Sequence, residues 1–184
     1  MNRCKWVNLN NKKYVDYHDN YWGKQNHDDS YLFKMLILEM FQAGLSWECI
    51  LNKEEAFTKA YDNFDIEKII KYDDNKQKEL LNNKDIIRNK LKIKYSIENA
   101  KIFKNIQKEY KTFNNYIWSF TDNKIIYETN KTTNDLSEKI SKDLQKRGMK
   151  FVGSTIIYSY LQAIGMINSH EEKCFLYMNK NRNN

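Results

Sequence analysis

At 184 residues the chain is long enough to bury a proper core as one domain, and it carries a formal charge of +7 from 31 basic and 24 acidic side chains. That excess suits an anionic partner such as nucleic acid, although a lysine-rich, AT-biased proteome produces the same balance. No stretch approaches the roughly 20 apolar residues of a membrane span, the N-terminus lacks a signal-peptide core, and Cys4, Cys49 and Cys174 make no disulfide framework. The expectation is a soluble, cytoplasmic protein with no membrane partner.

Proline is absent and only five glycines occur. The first distinctive stretch is YVDYHDNYWGK at 14–24, which crowds Tyr14, Tyr17, His18, Tyr21 and Trp22 together. Residues 28–45, DDSYLFKMLILEMFQAGL, begin with good N-cap residues and run apolar over most of their circumference, which predicts a buried helix. Short helices are expected at 52–61, 65–72 and 76–82. From Ile86 to Ile117 the apolar residues recur at spacings compatible with helix. Residues 135–147 carry Leu136, Ile140 and Leu144 at intervals of four, with Gly148 as C-cap. FVGSTIIYSYLQAIG then offers Ser154 or Thr155 as cap and Gly165 as stop, around a central helix. KIIYET is a short strand or a loop. The reading is an all-α single domain over 1–184, with 179–184 a disordered polar tail.

His170 and Cys174 are four apart, so on a helical turn they would project from one face. With Cys4 and His18 from the other end they make a Cys2His2 set, chemically right for tetrahedral zinc. The alternative is a buried thiol at Cys4, a surface His170 and a hydrogen-bonded core His18. Cys49 reads as core, and His27 as a surface or loop residue.

Glu39 interrupts an apolar helix, and a carboxylate buried there without a partner is costly and has a raised pKa. It is either at a solvent edge or a hydrogen-bond acceptor for a ligand. Tyr17, Trp22 and Trp47 are aromatic candidates to hold a flat one, and a stacked nucleobase would unite acceptor, rings and basic charge. Residues 84–111 hold nine Lys or Arg against three acids, and LLNNKDIIRNKLKIKY at 80–95 reads as helix, tight turn, helix. Amides at the second helix start, with lysines beside them, would grip a phosphate. For most of these lysines a solvated helix face explains as much.

Taken in order, RCKWV at 3–7, YHDNYWG at 17–23, LEMFQAGLSW at 38–47, IIRNKLKI at 86–93, IWSF at 117–120, KRGMKFVGSTIIYSYLQAIGMINSH at 146–170 and Cys174 resemble one family. It is the bacterial 3-methyladenine DNA glycosylase I enzymes, a divergent branch of the helix-hairpin-helix glycosylases. The resemblance covers essentially the whole chain. It implies one structural Zn2+ on Cys4, His18, His170 and Cys174. It also implies a base pocket with Glu39 as the hydrogen-bonding and candidate catalytic carboxylate, between the rings of Tyr17 and Trp47. Trp6, Tyr14 and Trp22 surround them, Ser159 lines the pocket, and Leu45, with Gln42 beside it, wedges into the gap left by the flipped nucleotide. The implied partner is double-stranded alkylated DNA, the product free 3-methyladenine, and the expected state a monomer.

Two departures from the family pattern stand out. Asp85 stands where related hairpins often have glycine, and its charge would oppose a phosphate. Met40 and Phe41 replace smaller or polar residues, and either reshape the pocket rim or pack inward. The superfamily's usual aspartate after the hairpin has no counterpart, since Glu98 and Glu109 sit among lysines. No lysine occupies a nucleophile position, so a monofunctional enzyme without strand cleavage is expected. The rival reading is a zinc-stabilised lesion-binding protein that does not cut.

Overall fold

The computed structural model describes residues 1–177. The polar tail expected at 179–184 lies outside the described residues. Nine α-helices account for most of them: α1 Lys12–Asn20, α2 Asp29–Gln42, α3 Trp47–Ala60, α4 Ile66–Ile69, α5 Asp74–Asn82, α6 Lys90–Tyr110, α7 Phe113–Ser119, α8 Asp135–Lys146 and α9 Ser154–Ala163. Two two-residue strands, β1 Ile126–Tyr127 and β2 Ile167–Asn168, pair in parallel. KIIYET is therefore a strand.

The centre is α2. Leu32, Phe33 and every residue from Met35 to Phe41 are buried, so the helix is apolar all round, as its sequence predicts. Asp28 caps it, accepting from the amides of Ser30 and Tyr31. It packs on α3, α6, α7 and α9. Met40 and Phe41 point inward: both are fully buried, and Phe41 lies against Phe57 with ring centroids 4.8 Å apart. They do not form the pocket rim.

Several boundaries differ from the sequence reading, each for a local reason. Helix α2 stops at Gln42 rather than 45 because Gly44 takes a left-handed φ of +80°. Ser46 then caps α3 by accepting from the Cys49 amide, so that helix starts at Trp47, five residues earlier than expected. The single helical run expected from 86 to 117 is two helices. Lys111 turns left-handed at φ +72°, and Thr112 caps α7. The apolar spacing survives the break because both helices face one core, with Phe103 stacked on Phe113 at 3.9 Å. The helix expected at 65–72 is only the four residues of α4, and α5 begins at Asp74 under Asp73. Gly153, not Ser154 or Thr155, is the N-cap of α9. Helix α1 was not expected at all. Its residues are too polar to show a stripe, and the Asn11 side chain nucleates it by accepting from the amides of Lys13 and Tyr14.

Gly165 ends α9 as predicted, and its surroundings explain the choice. The Gly23 amide donates to the Gln162 carbonyl and the Asn26 amide to the Ile164 carbonyl, laying residues 23–26 against the helix end. A Cβ on Gly165 would stand 2.0 Å from the carbonyl carbon of Lys24, at a φ of +75°. Gly165→Ala is therefore expected to cost roughly 3 kcal/mol or more, measured as a drop in denaturant midpoint. A loss within 0.5 kcal/mol, roughly the surface-substitution level, would contradict this packing.

Candidate functional site

An open cleft of about 310 Å³ lies between the N-terminal segment, α2, the start of α3 and α9. Trp6, Tyr14, Tyr17, Trp22, Glu39, Gln42, Trp47 and Ser159, all singled out from the sequence, line it together. Each arrives by a different element. Tyr14 and Tyr17 are one turn apart on α1, Glu39 and Gln42 one turn apart on α2, and Ser46 caps α3 so that Trp47 is its first residue. The rings make a connected wall: Tyr17 to Trp47 at 5.2 Å, Trp6 to Tyr14 at 5.3 Å and Trp6 to Trp22 at 4.8 Å.

Leu45 does not line the cleft. It stands in the α2–α3 turn with 39% of its surface exposed, an apolar side chain directed away from the core. Thr129, Asn130, Lys131, Gln162, Ser169 and Glu171 also line the cleft and were missed. Gln162 follows Ser159 by one helical turn, which is the one signal that points to it. The others arrive through the β1–β2 pairing, where the Ile126 amide donates to the Met166 carbonyl and the Glu128 amide to that of Asn168.

Glu39 sits in the cleft floor at 3% exposure, and its Oε2 has no hydrogen-bond partner. Burial among apolar groups pushes its pKa up from 4.5 to about 8. The same desolvation, with the Glu39 charge nearby, drives the Tyr17 hydroxyl well above its ordinary range. Trp47 Nε1 is likewise buried without an acceptor. An unmatched acceptor and an unmatched donor among flat rings fit the polar edge of a planar, electron-poor ligand.

At the edge of this wall, Cys4, His18, His170 and Cys174 converge with all four ligand atoms within 4.8 Å of one another. The sulfur–nitrogen separations are short: Cys4 Sγ to His170 Nδ1 at 3.6 Å, Cys174 Sγ to His18 Nε2 at 3.5 Å and Cys174 Sγ to His170 Nδ1 at 3.6 Å. A tetrahedral ion about 2.3 Å from sulfur and 2.0–2.1 Å from nitrogen sets that edge at ~3.6 Å. The outer partners fit too. His18 Nδ1 lies 2.8 Å from Asp19, which accepts from Arg3 at 2.7 Å, and His170 Nε2 lies 3.3 Å from the Trp22 carbonyl. Those contacts turn His18 Nε2 and His170 Nδ1 toward the cysteine sulfurs as lone-pair donors, with the Cys4 amide 3.4 Å from His18 Nε2. The Glu171 and Leu176 amides each donate to a cysteine sulfur at 3.4 Å. Without a cation, burial pushes the Cys4 thiol up to about 12, and burial pulls His170 down to about 4. A metal ion is the partner that suits this donor set.

The expectation that His170 and Cys174 share a helix is corrected. They lie in a turn after β2, in which the Cys174 amide donates to the Glu171 carbonyl, and this turn rather than a helix brings the two side chains together. His27 is the loop residue expected, 2.7 Å from Asn114 and packed on Trp118. Cys49 is only half-buried, in the first turn of α3, and is not core.

The basic hairpin is α5, residues 83–89 and α6. Its link has seven residues, not a tight turn, and Asp85 is not among the residues with positive φ, so its backbone does not call for glycine there. Lys84, Arg88, Lys90 and Lys94 are exposed, and none forms an ion pair among the described residues. Further along α6 the charge is offset: Lys101 pairs with Glu98, Lys104 with Glu67, and Glu109 with Arg147.

Comparisons with known proteins cover nearly the whole chain. The family model for Methyladenine glycosylase matches residues 6–177. DNA-3-methyladenine glycosylase 1 of Escherichia coli K12 is 37% identical over 183 residues, covering 96% of this chain and 97% of that protein. The DNA-3-methyladenine glycosylase of Haemophilus influenzae is 35% identical, with 94% and 96% covered. Among solved structures, a crystal structure of 3-methyladenine DNA glycosylase I superposes with a TM-score of 0.92 at 37% identity, covering 96% of this chain and all of that one. A Staphylococcus aureus 3-methyladenine DNA glycosylase I, solved to explain 3-methyladenine recognition, gives 0.90 at 31% identity, with 95% of each chain covered. The chain belongs to the methyladenine glycosylase family.

The raised pKa of Glu39 has a measurable consequence. An acid whose folded pKa exceeds its unfolded value costs nothing below the lower pKa; the cost accrues with rising pH and is complete above the higher one. Glu39→Gln is therefore expected to match the parent in stability near pH 4.5 and to be the more stable by pH 8, by on the order of a few kcal/mol. Melting curves across that range check it. A difference independent of pH would show that the carboxylate is not desolvated.

Proposed function

We propose that this protein excises 3-methyladenine from alkylated double-stranded DNA by hydrolysing its N-glycosidic bond, and leaves the sugar–phosphate strand uncut. The observation that carries the reading is the unpartnered Glu39 carboxyl among the rings of Tyr17, Trp47, Trp6 and Trp22. Methylation at N3 makes the adenine in DNA cationic. A cation in the cleft restores the charge on Glu39 that burial suppresses, and it gains attraction from the aromatic faces. Neutral bases gain neither, so selectivity follows from the cost of burying Glu39.

In the proposed reaction the methylated nucleotide leaves the stack, Leu45 fills its place beside Gln42, and the base enters between Tyr17 and Trp47. Glu39 accepts a hydrogen bond from the exocyclic amine. Tyr14 and Ser159 complete the walls. The bond between C1′ and the base breaks with its electron pair going to the base, which leaves neutral. Water adds at C1′ and gives its proton to solvent. Since the cation is already a good leaving group, positioning and desolvation suffice for rate. Among the described residues no lysine lines the cleft other than Lys131, whose ammonium lies 2.7 Å from Glu128, and this supports a monofunctional reaction.

The metal is read as one zinc ion per chain, held by Cys4, His18, His170 and Cys174 as a closed structural site. Bound there, it supplies a cross-link and takes no part in the chemistry. The protein is read as a single-domain monomer acting on DNA in the bacterial cytoplasm. No helix among the described residues is long and apolar enough to cross a membrane.

Purified protein is expected to release free 3-methyladenine from methylated DNA, and Glu39→Gln or Trp47→Ala to lower that release at least about 100-fold while non-specific DNA affinity stays within a few-fold. Unchanged release by both variants would refute the pocket assignment. DNA binding with no release by the parent protein would favour lesion recognition without cutting. Metal analysis is expected to find one zinc per chain, and a strong chelator to lower stability by roughly 3 kcal/mol or more. A metal-free protein that melts identically would remove the cross-link from the account.

A further inference from the structure

Lys92 is a lysine where α6 needs an apolar residue. It sits in the first turn of α6, 7% exposed, beside buried Ile93 and Ser96. Its ammonium donates to the Phe41 carbonyl at 2.9 Å and to the Ala43 carbonyl at 2.5 Å. Those are the last carbonyls of α2, left without helical partners where Gly44 breaks the helix, at the negative end of its dipole. Desolvation holds the Lys92 pKa below its ordinary value. An apolar side chain would cover this spot without stripping an ammonium of water, so core packing alone does not account for the charge. A second tie runs outside it: Lys53, on α3, donates to the Asp85 carbonyl at 3.0 Å. The turn that carries Leu45 is thus fastened on both flanks to the basic hairpin.

We propose that Lys92 is a positioning residue that locks the Leu45 turn to the hairpin, so that seating the hairpin on DNA phosphates fixes how Leu45 enters the duplex. This rests on the reading of Leu45 as the wedge, and the experiment separates the two. Lys92 touches neither the base pocket nor the reacting bond. Its loss therefore affects the step in which a nucleotide must be levered out of a stacked duplex, and spares the steps after it.

The test compares the parent protein, Leu45→Ala, Lys92→Met and the double variant in three assays: single-turnover excision from methylated duplex DNA, excision from methylated single-stranded DNA, and binding of free 3-methyladenine followed by tryptophan fluorescence. Lys92→Met is expected to slow duplex excision about 10- to 100-fold, while the other two readouts stay within about threefold. The double variant is expected to be no slower than the worse single variant, because both residues serve one step. Lys92→Gln, which keeps a donor, is expected to recover part of the loss. Parallel loss in all three assays would make Lys92 a general support of the fold and overturn the proposal. Independent, multiplying losses, or an unaffected Lys92→Met, would overturn it too. If Leu45→Ala excised duplex lesions normally, the wedge reading itself would fail, whatever Lys92→Met did.

Discussion

Four side chains drawn from residues 4, 18, 170 and 174 meet within 4.8 Å, and the rest of the site is arranged around that meeting. Closing a loop of this length costs several kcal/mol of chain entropy, so the contact needs either a strong cross-link or a large buried surface. Here it has both. Trp22 and Trp6 lie edge-on to the histidines, with Trp22 at 4.8 Å from His170 and Trp6 at 5.3 Å from His18. The same two tryptophans face the cleft. Gly23 passes so close that a Cβ would lie 3.2 Å from His170 Nε2. The ligand cluster and the aromatic wall are therefore one packed unit with two faces, one turned to the ligand atoms and the other to the base cleft.

Against that wall stands the least comfortable residue in the molecule. An apolar side chain at position 39 would suit the interior of α2 better, and the raised pKa of Glu39 measures what the fold gives up by keeping a carboxyl there. Stability forgone at a binding site reads as selectivity when a ligand of opposite charge reverses the loss. The rings around it work in the same direction. Tyr17, buried beside Glu39 at the cleft wall, keeps its hydroxyl neutral.

Much of this was legible before any coordinates. The continuous apolar run of α2 announced a buried helix, and a lone glutamate inside it could only be an edge or a site. The cysteine–histidine set was legible from residue types at the two ends, though the reason given for the 170–174 pair was wrong: a turn, not a helix, aligns them. What stayed hidden shares a cause. Helix α1 rests on an asparagine cap and on two buried residues in an otherwise polar segment, so periodicity could not show it. The cleft residues 129–131, Ser169 and Glu171 depend on a parallel pairing of two residues across about forty positions of sequence, which no local pattern encodes. The breaks at Gly44 and Lys111 rest on single left-handed residues, and only the glycine could be suspected from its identity.

The placement of the ligand set at the two extremities also bears on how the protein comes into being during synthesis. Residues 4 and 18 leave the ribosome long before 170 and 174. A nascent chain can build α2, α3 and the hairpin from local contacts, but it has no complete aromatic wall until the segment carrying 170 and 174 docks. A truncated product lacking either end would retain basic helices able to touch DNA, with no finished cleft to hold a base. Competence to act on DNA therefore arrives in a single event, once the segment that carries residues 170 and 174 has been made and has docked.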